Sequence, residues 1–205
     1  MEEIPSIPIK IIILGALGVG KTSLIHRYSK RNFESSLKST KHASYVSIIK
    51  TIREIKLELK LWDTAGQEKY KSLTKLFIKD TKIAILVYSI DDEKSFEELD
   101  DWLKLLFAVN DNNNITLGVA ANKSDLKSES TIPDEKGKEY AKKIGAIWKS
   151  TSAITEDGGF EEFIDELFNN YYLEKFDLDA ASSARSSKLN KAMIRYSTVG
   201  RKNCC

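Results

Sequence analysis

The spacing of apolar and polar residues changes several times along the chain, and each change marks an element. Ile9 to Leu14 is an apolar run broken only by Lys10, as expected of a strand buried on both faces. Leu24, Ile25 and Tyr28 then fall at helical spacing and predict a helix ending near Arg31. Residues 32 to 43 have no period and many polar side chains, which predicts a loop, long for an α/β connection and so a candidate for function. Tyr45 to Thr51 and Ile55 to Trp62 alternate about Arg53-Glu54 as the two strands of a hairpin do. The mixed polar segment from Asp63 to Lys79 predicts a second loop facing the same end. Further strands are predicted at Ile83 to Ile90, Ile115 to Ala121 and Ile147 to Lys149. Further helices are predicted at Ser95 to Val109, from Pro133 to near Gly145, and at Gly158 to Tyr172. In the first of these, Phe96, Leu99, Trp102, Leu103 and Leu106 form one stripe, which assigns Trp102 to the core. Strands alternating with helices predict an α/β fold with a six-stranded, mostly parallel sheet, helices on both faces and one antiparallel edge strand from the hairpin. Ligands of such sheets bind beyond the carboxyl ends of the strands, where both loops lie.

Composition adds a boundary. With 205 residues and 41% apolar content, the chain is expected to form one packed domain over residues 1–173, followed by a flexible tail over 174–205. The net charge of +2 hides an asymmetry, because the tail carries seven Lys or Arg against three acids, leaving 25 against 27 in the domain. A domain so near neutrality argues against nucleic acid as a partner, which would need clustered Lys and Arg on the folded body. The two cysteines are Cys204 and Cys205, so no disulfide is expected to staple the core, in keeping with a reducing compartment. Met1-Glu2-Glu3 and the interruptions at Pro5, Pro8 and Lys10 do not have the form of a secretory signal, and no apolar run approaches a membrane span. Any membrane contact is expected to be peripheral.

The candidate chemistry begins at Gly15-Ala16-Leu17-Gly18-Val19-Gly20-Lys21-Thr22, continued by Ser23, between the first strand and the first helix. The pattern G-x-x-x-x-G-K-[ST] in that setting is a phosphate cradle, with backbone N–H groups and a helix N-terminus around an anion. Gly15 and Gly20 allow close approach of the backbone, Lys21 supplies a point charge to the outer phosphates, and the Thr22 hydroxyl serves Mg²⁺.

Asn122-Lys123-Ser124-Asp125 leaves another strand 107 residues after Gly15. Its carboxylate suits the ring N–H and exocyclic amine that guanine presents and adenine does not. A site built on such pairs discriminates by roughly 10⁴ or more. Ser152-Ala153 follows at the end of a further strand, where a backbone N–H can meet the guanine carbonyl oxygen. N-K-x-D alone is a weak signal; after the cradle and Asp63-Thr64-Ala65-Gly66 it is a strong one.

Together these motifs resemble the small Ras-like GTPases, P-loop NTPases with a Ras-like G domain, over residues 7 to about 173, and the Rab branch most closely. Leu61-Trp62-Asp63-Thr64-Ala65-Gly66-Gln67-Glu68, Ile85-Leu86-Val87-Tyr88-Ser89-Ile90 and the terminal Cys204-Cys205 are similar to the Rab pattern. The resemblance implies that Thr22 and Thr40 ligate Mg²⁺ and that Asp63 holds it through water. It implies that Lys21, the Gly66 N–H and Gln67 serve hydrolysis, Gln67 by orienting the attacking water. It further implies that Phe33 stacks on the guanine ring, for which packing is the alternative, with Asn122, Lys123 and Asp125 completing the base site beside Ser152, Ala153 and Ile154. Such a protein cycles between GTP and GDP and recruits effectors in vesicle traffic. Its other expected partners are an exchange factor, a GTPase-activating protein and a GDP-dissociation inhibitor or escort protein.

The departures from that pattern matter as well. Leu17 stands where many relatives have Gly or Ser; either it crowds the γ-phosphate end of the cradle and slows hydrolysis, or it folds away onto the loop surface. Lys41-His42 replaces the usual Ile-Gly after the Mg²⁺-binding Thr, and Ile154 replaces a Lys beside the base, which predicts an altered partner choice and a weaker nucleotide grip. These changes also admit a GTP-binding scaffold with little or no hydrolysis. In the tail, six basic residues between Arg185 and Lys202 suit an anionic leaflet. Cys204-Cys205 resembles the Rab ending that receives two geranylgeranyl groups, the alternative being two free thiols; two chains give stable anchoring. The expected location is the cytoplasmic face of an intracellular membrane, in exchange with the cytosol.

Overall fold

The computed structural model describes residues 6–30, 40, 44–52, 55–64, 71–110, 115–129 and 132–176. Its strands are β1 (Ile7–Leu14), β2 (Ser44–Ile52), β3 (Ile55–Asp63), β4 (Ile83–Ser89), β5 (Thr116–Asn122) and β6 (Ile147–Ser150). Its helices are α1 (Lys21–Lys30), α2 (Lys71–Ile78), α3 (Glu93–Glu97), α4 (Leu99–Val109), α5 (Asp134–Lys143) and α6 (Phe160–Phe176). The strands form one sheet in the order β2-β3-β1-β4-β5-β6. All pairings are parallel except β2 with β3, the hairpin expected at the edge, whose register closes at Ile52 opposite Ile55.

Side chains alternate across a strand, so the apolar run of β1 feeds two cores. Ile9, Ile11 and Ile13 join Leu57, Leu59 and Leu61 of β3 under α1 and α6, against Leu24, Phe163, Ile164 and Leu167. Ile12 and Leu14 face the other way, with Ala84, Leu86 and Tyr88 of β4, onto Ile78 of α2, Leu99, Trp102 and Leu106 of α4, and Ala141 of α5. Trp102 is fully buried, as its place in the helical stripe predicts. Each such aliphatic side chain contributes about 1.5–3 kcal/mol on burial, so β1 is held on both faces. The chain crosses to one side of β1 to form β3 and to the other to form β4. The crevice beyond Leu14 is thus the switch point where an open α/β sheet receives its ligand.

Three expectations about boundaries are corrected. The polar stretch read as loop to Lys79 contains α2, whose residues Thr74 and Ile78, one helical turn apart, are buried. The helix expected from Ser95 begins at Glu93, capped by Asp92, whose side chain accepts from the Ser95 N–H, and breaks at Glu98 before α4. The last helix starts at Phe160, after Gly158 and Gly159, and runs beyond residue 173 to Phe176.

Candidate nucleotide site

The loop between β1 and α1 is held open by its glycines. Gly15 has φ +150°, and a Cβ there would collide with the Val87 carbonyl oxygen of β4. Gly20 has φ +92°, and a Cβ there would collide with the Asn122 amide. Neither backbone position suits an L side chain, and neither has room for one. Between them Val19 is buried while Leu17 stands 47% exposed. The first intrahelical bond of α1 runs from the Leu24 N–H to the Gly20 carbonyl at 2.9 Å. This places Lys21, Thr22 and Ser23 in the first turn, where N–H groups lack helical partners and favour an anion.

Lys21 is only 5% exposed, and its ammonium donates to the Gly15 and Ala16 carbonyls at 2.8 and 2.7 Å. That bends the side chain over the loop and leaves one of its three donors for a ligand. Burial lowers its pKa to about 8, against the opposing charges of Asp63 and Glu98. Burial likewise raises the Asp63 carboxyl, opposed by the Thr22 hydrogen bond, the Lys21 charge and the Thr40 hydrogen bond.

Asp63, at the end of β3, gathers the oxygens. Its Oδ2 accepts from Thr22 Oγ1 at 2.6 Å and from Thr40 Oγ1 at 3.2 Å, and the two hydroxyls lie 2.7 Å apart. Its Oδ1 is buried with no partner among the described residues. Two hydroxyls and a carboxylate with an unmatched buried oxygen form a hard-oxygen set that fits Mg²⁺. Thr64 fixes the adjoining backbone by donating to the Ile13 carbonyl at 2.7 Å.

The second half of the crevice comes from β5, β6 and the turns after them. Asn122 is 2% exposed; its amide donates to the Val19 carbonyl at 2.7 Å and its Oδ1 accepts from Thr151 Oγ1 at 3.2 Å. Lys123 follows with φ +62°, a left-handed turn that redirects the chain into a 3₁₀ segment at Ser124–Glu129. The Ser152 hydroxyl donates to Asp125 Oδ1 and accepts from the Ile154 N–H at 3.1 Å, so one side chain orients both the carboxylate and the loop backbone. Ser152 and Ala153 are buried, while Ile154 is 53% exposed. The structure thus brings the cradle, Thr40, Asp63, Asn122, Lys123, Asp125 and the Ser152–Ile154 turn to one end of the sheet. Phe33, Lys41, His42, Gly66, Gln67, Cys204 and Cys205 lie outside the described residues.

A surface feature escaped the sequence reading. Tyr45, Trp62 and Phe77, from β2, β3 and α2, form an aromatic strip with ring centroids 5.0 and 5.5 Å apart. Tyr45 is 51% exposed, and Lys10 Nζ lies 4.8 Å from the Trp62 ring centroid. Tyr45 pairs with Trp62 in the step next to Ser44 and Asp63, so the strip adjoins the oxygen cluster. The signal present in the sequence was Tyr45 and Trp62 at alternating positions of a hairpin.

Residues 10–172 match the sequence model of the Ras family. The chain is 38% identical over 156 residues to the Ras-related protein Rab-21 of Geodia cydonium, covering 76% of this chain and 68% of that one. It is 36% identical over 167 residues to Rab-11B of Dictyostelium discoideum, covering 82% and 75% of the two chains. It is 30% identical over 201 residues to RABA1b of Arabidopsis thaliana, covering 96% and 93%.

Proposed function

Because this chain belongs to the Ras family, and within it to the Rab proteins, we propose that its GTPase switch is built on the Thr22, Thr40 and Asp63 cluster. A Rab-like small GTPase hydrolyses GTP to GDP and phosphate, and it uses the difference between the two bound states to control membrane traffic. The observation that carries the proposal is that one carboxylate oxygen gathers hydroxyls from the cradle helix and from the segment before β2. A ligand that rearranges those three oxygens would shift Thr40 and the end of β3 together.

Each residue has a role in this reading. The loop N–H groups and Lys21 bind the phosphates, and Asp125, oriented by Ser152, selects guanine. Thr22, Thr40 and Asp63 would hold Mg²⁺, which supplies positive charge to the outer phosphates when bound. By the family motif, Gly66 senses the γ-phosphate and Gln67 orients the attacking water, while Phe33 covers the base. Phosphoryl transfer asks for positioning and charge neutralisation more than covalent participation, which suits this donor set.

The output is binding. Tyr45, Trp62 and Phe77 supply a rigid aromatic surface of the kind that anchors partners, beside the phosphate-sensing oxygens. We assign it to effectors of the GTP state, with an exchange factor, a GTPase-activating protein and a GDP-dissociation inhibitor or escort protein acting on the cycle. No helix among the described residues is long and apolar enough to cross a membrane. Geranylgeranylation of Cys204 and Cys205, aided by the basic tail, would anchor the chain at the cytoplasmic face of an intracellular membrane.

Single-turnover hydrolysis tests the proposal: GTP-loaded protein should release phosphate to water, and Thr40→Ala should slow release and shift its Mg²⁺ dependence to higher concentration. Equal rates for the two proteins at every Mg²⁺ concentration would refute the assignment of Thr40.

A further inference from the structure

The turn between β4 and α3 is built around hydrogen bonds that its length alone does not require. The Ser89 N–H donates to Ser95 Oγ at 3.0 Å, and Ser95 Oγ–H donates to the Asp92 carbonyl at 2.6 Å. The Ser89 hydroxyl, on a residue 1% exposed, is bonded to Asp91 Oδ1. That side of the turn adjoins the base motif, because Ser89 pairs with Asn122 in the sheet register and the Ile90 N–H donates to the Asn122 carbonyl at 3.1 Å. Asp91 therefore reaches the next residue along, and its Oδ1 lies 3.6 Å from Lys123 Nζ.

Two features make this contact more than a surface ion pair. Lys123 has φ +62°, a conformation that costs a non-glycine residue energy and persists only where its surroundings hold it. The pair is also sheltered, with side-chain exposures of 34% for Lys123 and 28% for Asp91. Burial pushes the Asp91 carboxyl upward, yet the Ser89 hydrogen bond and the Lys123 charge outweigh it and leave the group below the ordinary carboxylate range. It is thus a full anion at neutral pH.

We propose that Asp91 is a positioning residue for the guanine site, holding the Lys123 ammonium at the base crevice from the β4–α3 turn. The assignment rests on the base-binding role proposed above for Lys123. Asp91 acts on nucleotide retention through Lys123, and Ser89 acts through Asp91.

The test is the release rate of a fluorescent GDP from the full chain in a double-mutant cycle. Asp91→Asn, which keeps the shape and removes the charge, should speed release about threefold to fivefold, the scale of a partly exposed ion pair. Asp91→Glu should restore most of the wild-type rate. Ser89→Ala should give about a twofold acceleration, because it frees the carboxylate without deleting it. In a Lys123→Ala background both accelerations should vanish. Equal acceleration by Asp91→Asn with and without Lys123, or none in the wild-type background, would overturn the proposal. Lys123→Ala on its own reports on the base-site reading, since release at the wild-type rate from that variant would remove Lys123 from the site and Asp91 with it.

Discussion

Asn122 and Val19, 103 positions apart in the sequence, are joined by a 2.7 Å hydrogen bond from the Asn122 amide to the Val19 carbonyl. This bond fastens the end of β5 to the loop between β1 and α1, and so couples the proposed base and phosphate sites. Asn122→Ala would strand a buried carbonyl, at about 1–3 kcal/mol. A lowered urea midpoint with unchanged slope is expected, together with GDP release at least about tenfold faster. Gly20→Ala should reproduce both effects, since its Cβ would collide with that amide.

Lys21 sets a pH dependence. Burial, opposed by Asp63 and Glu98, brings its pKa to about 8 in the folded chain, below the ordinary 10.5. Bound phosphates favour the ammonium, so above pH 8 the complex holds more protons than the free protein. GDP affinity should therefore fall as pH rises through 8, approaching about tenfold per unit, and Lys21→Met should remove this slope. The nucleotide-free fold should show the opposite trend. Between about 8 and 10.5 the unfolded chain retains the proton that the folded chain has lost, so stability rises with pH. Calorimetric titrations and urea midpoints at pH 7, 8 and 9 check the two signs.

Leu17 projects from the loop between two positions that need glycine, with nearly half of its surface exposed. A group of that size at the phosphate end should obstruct the approach of Gln67 and of an arginine supplied by an activating protein. Leu17→Gly is expected to raise intrinsic GTP hydrolysis by about threefold to tenfold, or 0.7–1.4 kcal/mol in the barrier. Phosphate release under single-turnover conditions measures it, and equal rates would assign Leu17 to the loop surface.

Trp62 lies between Tyr45 and Phe77, at ring-centroid distances of 5.0 and 5.5 Å. Trp62→Ala should remove the centre of the aromatic strip, weakening GTP-dependent partners by about 2 kcal/mol or more. GDP release should change less than about twofold. Comparing the proteins retained by the GTP-loaded and GDP-loaded forms of both chains separates the effects on binding and on the nucleotide.

Much of this was legible in the sequence because the elements that build the site are local. The apolar run ending at Leu14, the glycines at 15 and 20 and the Asn122–Asp125 turn each state their structure within a few residues. The hairpin was legible from alternation, and its described strands close at Ile52 opposite Ile55. Helix α2 was not, because the buried Thr74 is polar and the exposed Leu76 apolar, which blurs the period; Thr74 and Ile78, one turn apart, mark its buried face. The aromatic strip and the Asp91–Lys123 contact were hidden for a different reason. The strip is completed only when Phe77 of α2 packs against the hairpin, and the ion pair only when β5 lies beside β4. Sequence spacing carries no information about such neighbours until the sheet is known.

In the proposed reading, guanine selection at this end of the sheet runs through Asp125, Lys123 and the phosphate loop. Equilibrium competition between GDP and ADP for the Mg²⁺-supplemented protein tests it most directly. A preference for GDP of about 10⁴ or more is expected, and comparable retention of ADP would rule out guanine selection at this site.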